Sequence, residues 1–387
     1  PAIDRAGLNG SDAGLATELT YGTLRRVGYY DAVIELAARR SPEDIDPVVL
    51  DALRLSTHQI LSMRVAEHAA VNEGVELVRV HAGQRAVGFA NAVLRTITRS
   101  DADTWRERVI ADARSDDERL SLEYAHPVWI IRAMRRSLAA EGRADELIDL
   151  LAADNVAPSV TMLALPGLVD APADAPRTPY SPYGFEAPAG DPASLVQSSN
   201  GRLRVQDEGS QLAALALVHA TPGGKTALLA AEALAAGATI EANEVVPARA
   251  GLVRRALEGI PLRIEVSVED GRTRASSAEG TYDRVLVDAP CTGRGALRRR
   301  PEARWRKHPS DLPALTELQG ELLAAGILAT KPGGVIASVT CSPHLAEAAG
   351  VVAEVRREWG EALEEMDARS VLREIAGHLD LDALTVN

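Results

Sequence analysis

From residue 12 to residue 100 the apolar positions recur every three to four residues, the period of a helix that buries one face. DAGLATELTYGTLRRVGYYDAVIELAARR (12–40) carries this period, with Gly22 and Gly28 as points of interruption. SPED (41–44) has the form of a capping box opening DPVVLDALRLSTHQILSM, which Pro47 divides. VAEHAAVNEGVELVRV and GQRAVGFANAVLRTITRS follow in the same style, and no β-branched or aromatic run with period two breaks the pattern. An all-helical domain over 1–112 is therefore predicted. A charged connector, RSDDER (114–119), leads into further helical sequence over 127–155. The composition then shifts: eight of the 21 prolines lie between Pro158 and Pro192. The stretch 165–195 reads as a loop-rich linker without a core, inside a middle segment spanning 113–200.

Beyond residue 201 the pattern alternates. RLRVQ, TIEANEV, RIEVSVED, DRVLVDAP and GVIASVTCS are short strand-like runs. Between them stand the helical runs GSQLAALALVHA, TALLAAEALAAG, PARAGLVRRALEG and DLPALTELQGELLAAGILAT. Buried-looking strands separated by helices of roughly 10–15 residues predict an α/β domain over 201–387 with a doubly wound parallel sheet.

Charge and cysteine content narrow the function classes. The 387 residues carry 42 basic and 55 acidic side chains, a net charge of −13, so a uniformly basic nucleic-acid binder is excluded. A local basic site on an acidic body is not. Two cysteines, Cys291 and Cys341, are too few for a disulfide scaffold. No apolar run approaches the roughly 20 residues that span a bilayer. The first residues, PAIDRAGLNGSD, lack the basic start and apolar stretch of a secretory signal, so a cytoplasmic protein without membrane contact is expected. The eight histidines form no ligand spacing, and no metal is expected.

Ligands of open α/β sheets bind beyond the carboxyl ends of the strands. Here those ends carry Glu244, Asp270, Asp288 with Cys291 shortly after it, and Cys341. Both cysteines fall at one predicted edge. Free cysteine is most often a small buried hydrophobe, but the flanking Asp288-Ala-Pro-Cys291 and Thr340-Cys341-Ser342 favour chemistry. A cationic neighbour such as Lys225 would favour the reactive thiolate. TPGGKT (221–226) opens a helix whose N-terminus suits an anionic group. It is not a P-loop, because His219 stands where the first glycine is needed. Glu244 lies 19 residues after Lys225, near the spacing at which an acid meets ribose hydroxyls in dinucleotide folds. RGALRRRPEARWRKH (294–308) holds seven basic residues against one acid. Its bland reading is a solvated helix face; its functional reading is a polyanion channel lined by Arg294, Arg298, Arg299, Arg300, Arg304 and Arg306.

Together these residues resemble the 5-methylcytosine RNA methyltransferases, in the branch of small-subunit rRNA methyltransferase B (Sun/Fmu proteins). The resemblance rests on VQDEGSQ (205–211), PGGKT (222–226), DAPCTGRGALRRRPEARW (288–305), LQ (318–319) and TCSPHLAE (340–347). ATELTYGTLRR and AVNEGVELVR…GFANAVLR in the helical front resemble the NusB-like RNA-binding domain of that branch.

The resemblance implies a Rossmann-like fold that binds S-adenosyl-L-methionine and acts on small-subunit rRNA. It implies Cys341 as the nucleophile on carbon 6 of a cytosine and Cys291 as the group assisting proton loss and release. Asp288 would bond the pyrimidine edge, and Lys225 would sit near base and cofactor. Pro222, Gly223, Gly224 and Lys225 would form the cofactor turn, Glu244 would bind the ribose, and Asp270 would lie near the adenine. Covalent addition divides one hard substitution into two easier steps, and the target base must be unstacked to reach both thiols.

The chain departs from the family before the glycine turn. The usual strand of the form W-L-D-x-C-A-x-P-G-G-K-T is absent, and LALVHA runs directly into TPGGKT. Two other readings therefore stand beside the first: a catalytically silent RNA-binding protein that works through its helical domain, and a tRNA cytosine methyltransferase.

Overall fold

The computed structural model describes residues 5–188, 190–219 and 226–376. The chain forms two compact units. The first runs to Ala157 and takes in Gly293–Pro309; the second comprises Pro158–Thr292 and the chain from Ser310 onward. The middle segment expected over 113–200 is thus shared between them, dividing at Ala157.

In the first unit, helices Gly10–Arg25, Val27–Ala38, Pro47–Ser62, Glu67–His81, Gln84–Ile97 and Ala102–Ile110 enclose one core. Ala90, Val93, Leu94 and Ile97 stand on one face of their helix and are buried against Tyr30, Val33, Ile34 and Leu53. The break in the first helical run falls at Arg26, not at either glycine. Gly22 and Gly28 serve close packing instead. A Cβ on Gly22 would lie 2.4 Å from His58 Nε2, and one on Gly28 would lie 2.5 Å from the Trp305 ring.

SPED forms only a single 3₁₀ turn at Pro42–Asp44. The cap of the next helix is Asp46, whose carboxylate accepts from the Val48 and Val49 amides, with Pro47 at the first helical position. Pro47 therefore starts that helix instead of dividing it.

The charged connector is also helical. Ser115 accepts from the Glu118 amide and opens Asp116–Tyr124, with three acids in the favourable first turn. Leu120 joins Ile130, Ile131, Met134 and Leu138 of helix Val128–Ala140, Leu147 and Leu151 of helix Leu147–Ala153, and Leu297, in a second buried cluster.

The second unit opens with a small antiparallel sheet of β1 (Thr161–Ala164), β2 (Gly184–Glu186) and β3 (Leu203–Val205), in the order β2-β1-β3. The proline-rich stretch expected to lack a core has one: Ala171, Ala175 and the fully buried Phe185 pack on Met162, Ala164 and Leu203. Strands of three or four residues are too short to display alternation, and the prolines occupy their connections.

The remainder is Rossmann-like. β4 (Glu241–Asn243) pairs in parallel with β5 (Glu265–Ser267), and β6 (Tyr282–Asp288) in parallel with β7 (Thr330–Val339). Helices Glu208–His219, Thr226–Ala236, Pro247–Leu257, Leu312–Ala329 and Ala349–Trp359 accompany them. Gly326 lets helix Leu312–Ala329 press onto this pair, since a Cβ there would lie 2.8 Å from Ile336 and 2.9 Å from Val287. Among the described residues the parallel strands form two pairs where one continuous sheet was expected.

Candidate active site

The register of β6 on β7 sets the site. Val287 faces Ser338 and Asp288 faces Val339, and the Ala289 amide donates to the Val339 carbonyl at 3.1 Å. Both strands therefore end level. Cys291 follows three residues after Asp288, and Cys341 two residues after Val339. Their sulfurs lie 3.2 Å apart, with Cys341 exposed and Cys291 half-buried. Asp288 is exposed at the same edge. The strand-end rule predicts that these three residues share an edge, and the fold puts them on one.

Beneath the thiols lies a buried network that the sequence does not announce. Glu347, only 3% exposed, accepts from the Thr292 amide at 2.7 Å, from the Thr292 hydroxyl, and from the Ser342 hydroxyl at 2.6 Å. Gln319 donates from Nε2 to the Pro290 carbonyl at 2.8 Å. The segments DAPCTGRGALRRRPEARW, LQ and TCSPHLAE contain these residues, but period and spacing give no hint that one carboxylate reaches both cysteine-bearing loops.

Glu244 and Asp270 stand beyond the carboxyl ends of β4 and β5, which are neighbours. The Glu244 amide donates to Ser267 at 3.2 Å, and its Oε1 accepts from the Val246 amide at 2.9 Å. Asp270 caps helix Gly271–Ser276 by accepting from the Arg272 amide, and it also binds the Arg272 guanidinium through both oxygens. That guanidinium and the amide hold its carboxyl down to about 2. Pro222, Gly223, Gly224 and Lys225 lie outside the described residues.

The basic segment belongs to the first unit, and two of its arginines point inward. Arg304 is fully buried and donates to the carbonyls of Arg25 (2.7 Å), Asp154 (2.8 Å) and Ala125 (3.3 Å) and to Asn155 Oδ1 (2.8 Å). Burial lowers its pKa to about 10. The buried Arg294 guanidinium lies 4.2 Å over the Trp129 ring. Trp305 packs against the helical core and donates to the Leu24 carbonyl at 3.1 Å. Arg298, Arg300 and Arg306 are exposed, and Arg299 is half-buried. Neither a wholly solvated face nor a wholly RNA-directed channel describes this segment. Part of its charge staples the helical unit together, and the rest faces out.

The described residues thus form a helical front domain followed by a Rossmann-like domain with paired thiols at its strand ends. Comparison with known proteins agrees. Residues 206–376 match the family described as 16S rRNA methyltransferase RsmB/F, and residues 2–99 match the NusB family. The chain is 46% identical over 375 residues to a putative methyltransferase, Rv1407, of Mycobacterium tuberculosis, covering 92% of this chain and 81% of that protein. It is 31% identical over 355 residues to ribosomal RNA small subunit methyltransferase B of Pseudomonas putida, covering 86% and 78%. The solved structure titled "Crystal Structure of PH0851" superposes with a TM-score of 0.74 at 20% identity, covering 94% of this chain and 84% of that one, which establishes likeness of fold. The chain belongs to the RsmB/F methyltransferase family and carries a NusB domain at its front.

Proposed function

We propose that this protein methylates carbon 5 of a cytosine in small-subunit (16S) rRNA through a covalent adduct with Cys341. The observation that carries the reading is the pair of sulfurs 3.2 Å apart at the level ends of β6 and β7. One thiol alone would suit many roles. Two at one edge, beside the exposed Asp288, suit a reaction that needs both a nucleophile and a proton acceptor.

The Cys341 thiolate adds to carbon 6 of an unstacked cytosine, and the electron pair of the 5,6 double bond makes carbon 5 nucleophilic. Carbon 5 then gains the methyl group. Loss of the carbon-5 proton, assisted by Cys291, restores the double bond as the bond from sulfur to carbon 6 breaks and the thiolate is regenerated. Asp288 hydrogen-bonds the pyrimidine edge, and the family resemblance assigns Lys225 to the base and cofactor.

S-adenosyl-L-methionine, when bound, supplies the methyl group on a sulfonium. The donor set fits it. Glu244 uses one oxygen on a backbone amide and has a second for a ribose hydroxyl, and Asp270 stands at the next strand end for the adenine side. The outward arginines of 294–308 and the NusB domain suit an RNA partner, and the likeness to rRNA methyltransferases favours rRNA over tRNA and, with rRNA as substrate, a cytoplasmic enzyme.

The test pairs two substitutions. Cys341→Ala abolishes methyl transfer to rRNA and leaves RNA binding intact. Cys291→Ala accumulates a protein–RNA adduct that resists denaturation. Bisulfite mapping of rRNA and tRNA from a strain lacking the gene locates the cytosine. Full activity of Cys341→Ala sinks the covalent reading, and an unmodified site in tRNA alone sinks the rRNA reading.

A further inference from the structure

We infer that Glu347 is a positioning residue that sets the separation of the two thiols; this rests on the reading that Cys341 and Cys291 act together. Thr292 directly follows Cys291, and Ser342 directly follows Cys341. Each of these neighbours donates its hydroxyl to the same Glu347 oxygen, and the Thr292 amide donates to the other oxygen at 2.7 Å. The two hydroxyls are 3.1 Å apart, an approach the shared carboxylate enforces. Gln319, on a different element, fixes the Pro290 carbonyl at 2.8 Å on the far side of Cys291 and reaches the Glu347 carboxylate at 3.5 Å. Every group presented to Glu347 is a donor, which suits an acceptor-only carboxylate.

The carboxylate is not needed to hold the strands, which have their own ladder. Its contacts go to the residues next to the sulfurs. Both Glu347 oxygens are taken up by buried donors, and such buried hydrogen bonds rigidify what they hold, here the pair of loops carrying the thiols. Removing the carboxylate frees two hydroxyls and an amide and lets the loops separate. A displacement near 1 Å at a reacting group costs about 10²-fold in rate.

The experiment uses the whole chain and two readouts. The first is the rate at which diamide bridges Cys291 and Cys341; two thiols give up two protons and two electrons to its azo group, and intact mass records the loss of two hydrogens. The second is kcat and KM for methyl transfer. Glu347→Ala slows bridging about tenfold or more and lowers kcat by about 10²-fold, with KM for RNA changed by less than about threefold. Glu347→Gln, which can still accept from the Thr292 amide, recovers part of both. Should circular dichroism show Glu347→Ala unfolded, Ser342→Ala replaces it and slows bridging by releasing the Cys341 loop alone.

Bridging at the wild-type rate in a folded variant overturns the inference even if methylation of cytosine stands. A wild-type chain that bridges readily, a variant that does not, and no methylated cytosine in either overturns the catalytic reading and leaves the positioning role in place.

Discussion

Arg304→Ala separates the two uses of the basic segment. The side chain is fully buried and makes four hydrogen bonds to groups from three different stretches of the first unit. Bonds from a charged donor are worth about 1.5–3 kcal/mol each, but the cation is itself desolvated, as its pKa of about 10 records. We therefore take about 1 kcal/mol per bond, and about 2 kcal/mol for the buried methylene stem. The expected loss is about 4–6 kcal/mol, a large share of the ~5–15 kcal/mol that holds a domain folded. Arg304→Lys keeps the charge and most of the stem but not the planar fork, and loses about 2–3 kcal/mol. Urea unfolding followed by tryptophan fluorescence reads this directly, because Trp105, Trp129 and Trp305 all sit in that unit. The midpoint should fall steeply for Ala and about half as far for Lys. An unchanged midpoint together with weakened RNA binding would refute the inward assignment and return Arg304 to the RNA path.

Replacing Arg298, Arg299 and Arg300 with alanine has the opposite signature: little change in the urea midpoint, weaker RNA binding, and a flatter salt dependence. The log–log slope drops by about 0.7–0.9 for each phosphate that is no longer neutralised. An unchanged slope removes these residues from the RNA path. Gly28→Ala forces a methyl against the Trp305 ring at 2.5 Å and costs about 1–3 kcal/mol of first-unit stability, read by the same fluorescence transition. His126 is fully buried, 3.2 Å from Asp154, and burial lowers its pKa below the ordinary 6.5. The unfolded chain takes up this proton first, so its contribution to stability is present above pH 6.5 and is lost as pH falls through the lowered folded value. Urea midpoints from pH 7.5 to 5 should decline, and less steeply in a folded His126→Asn variant; equal slopes would exclude His126 as the source.

Much of this protein is legible in its sequence because the signals are local. The helical period over 84–97 puts Ala90, Leu94 and Ile97 in the core, and the strand-end rule brings Asp288, Cys291 and Cys341 to one edge. What escapes a reading of the chain is non-local. Arg304 looks like its neighbours Arg300 and Arg306; only the carbonyls of Arg25, Ala125 and Asp154, far away in sequence, turn it inward. Gly28 reads as a helix breaker, and its reason for being glycine is a tryptophan 277 positions later. Phe185 lies in a proline-rich run with the composition of a linker, and its burial depends on β1 pairing beside it and on Leu203 of β3, beyond β1, joining the same cluster. Glu347 is one acid among 55 acidic residues until two loops close over it.

Among the described residues, the division of the parallel strands goes with the lack of a strand ahead of PGGKT. A doubly wound sheet has the order 3-2-1-4-5, with its first strand between the second and the fourth. β5 and β4 take the places of strands 3 and 2, and β6 and β7 those of 4 and 5. The place between them belongs to the strand that would precede PGGKT, and among the described residues helix Glu208–His219 stands ahead of that segment instead. The apolar run Val285–Leu286–Val287 is accordingly only half-buried, although its composition suits a strand covered on all sides. The proposed cofactor acids, Glu244 and Asp270, therefore stand on one strand pair, and the thiols on the other. The groups that fix the thiols (Pro290, Thr292, Gln319, Ser342 and Glu347) all belong to the β6–β7 half. Among the described residues, the hydrogen bonds around the thiols come from the β6–β7 half and none from β4 or β5, so substitutions at Glu244 should weaken use of the methyl donor and leave the bridging rate of Cys291 and Cys341 unchanged.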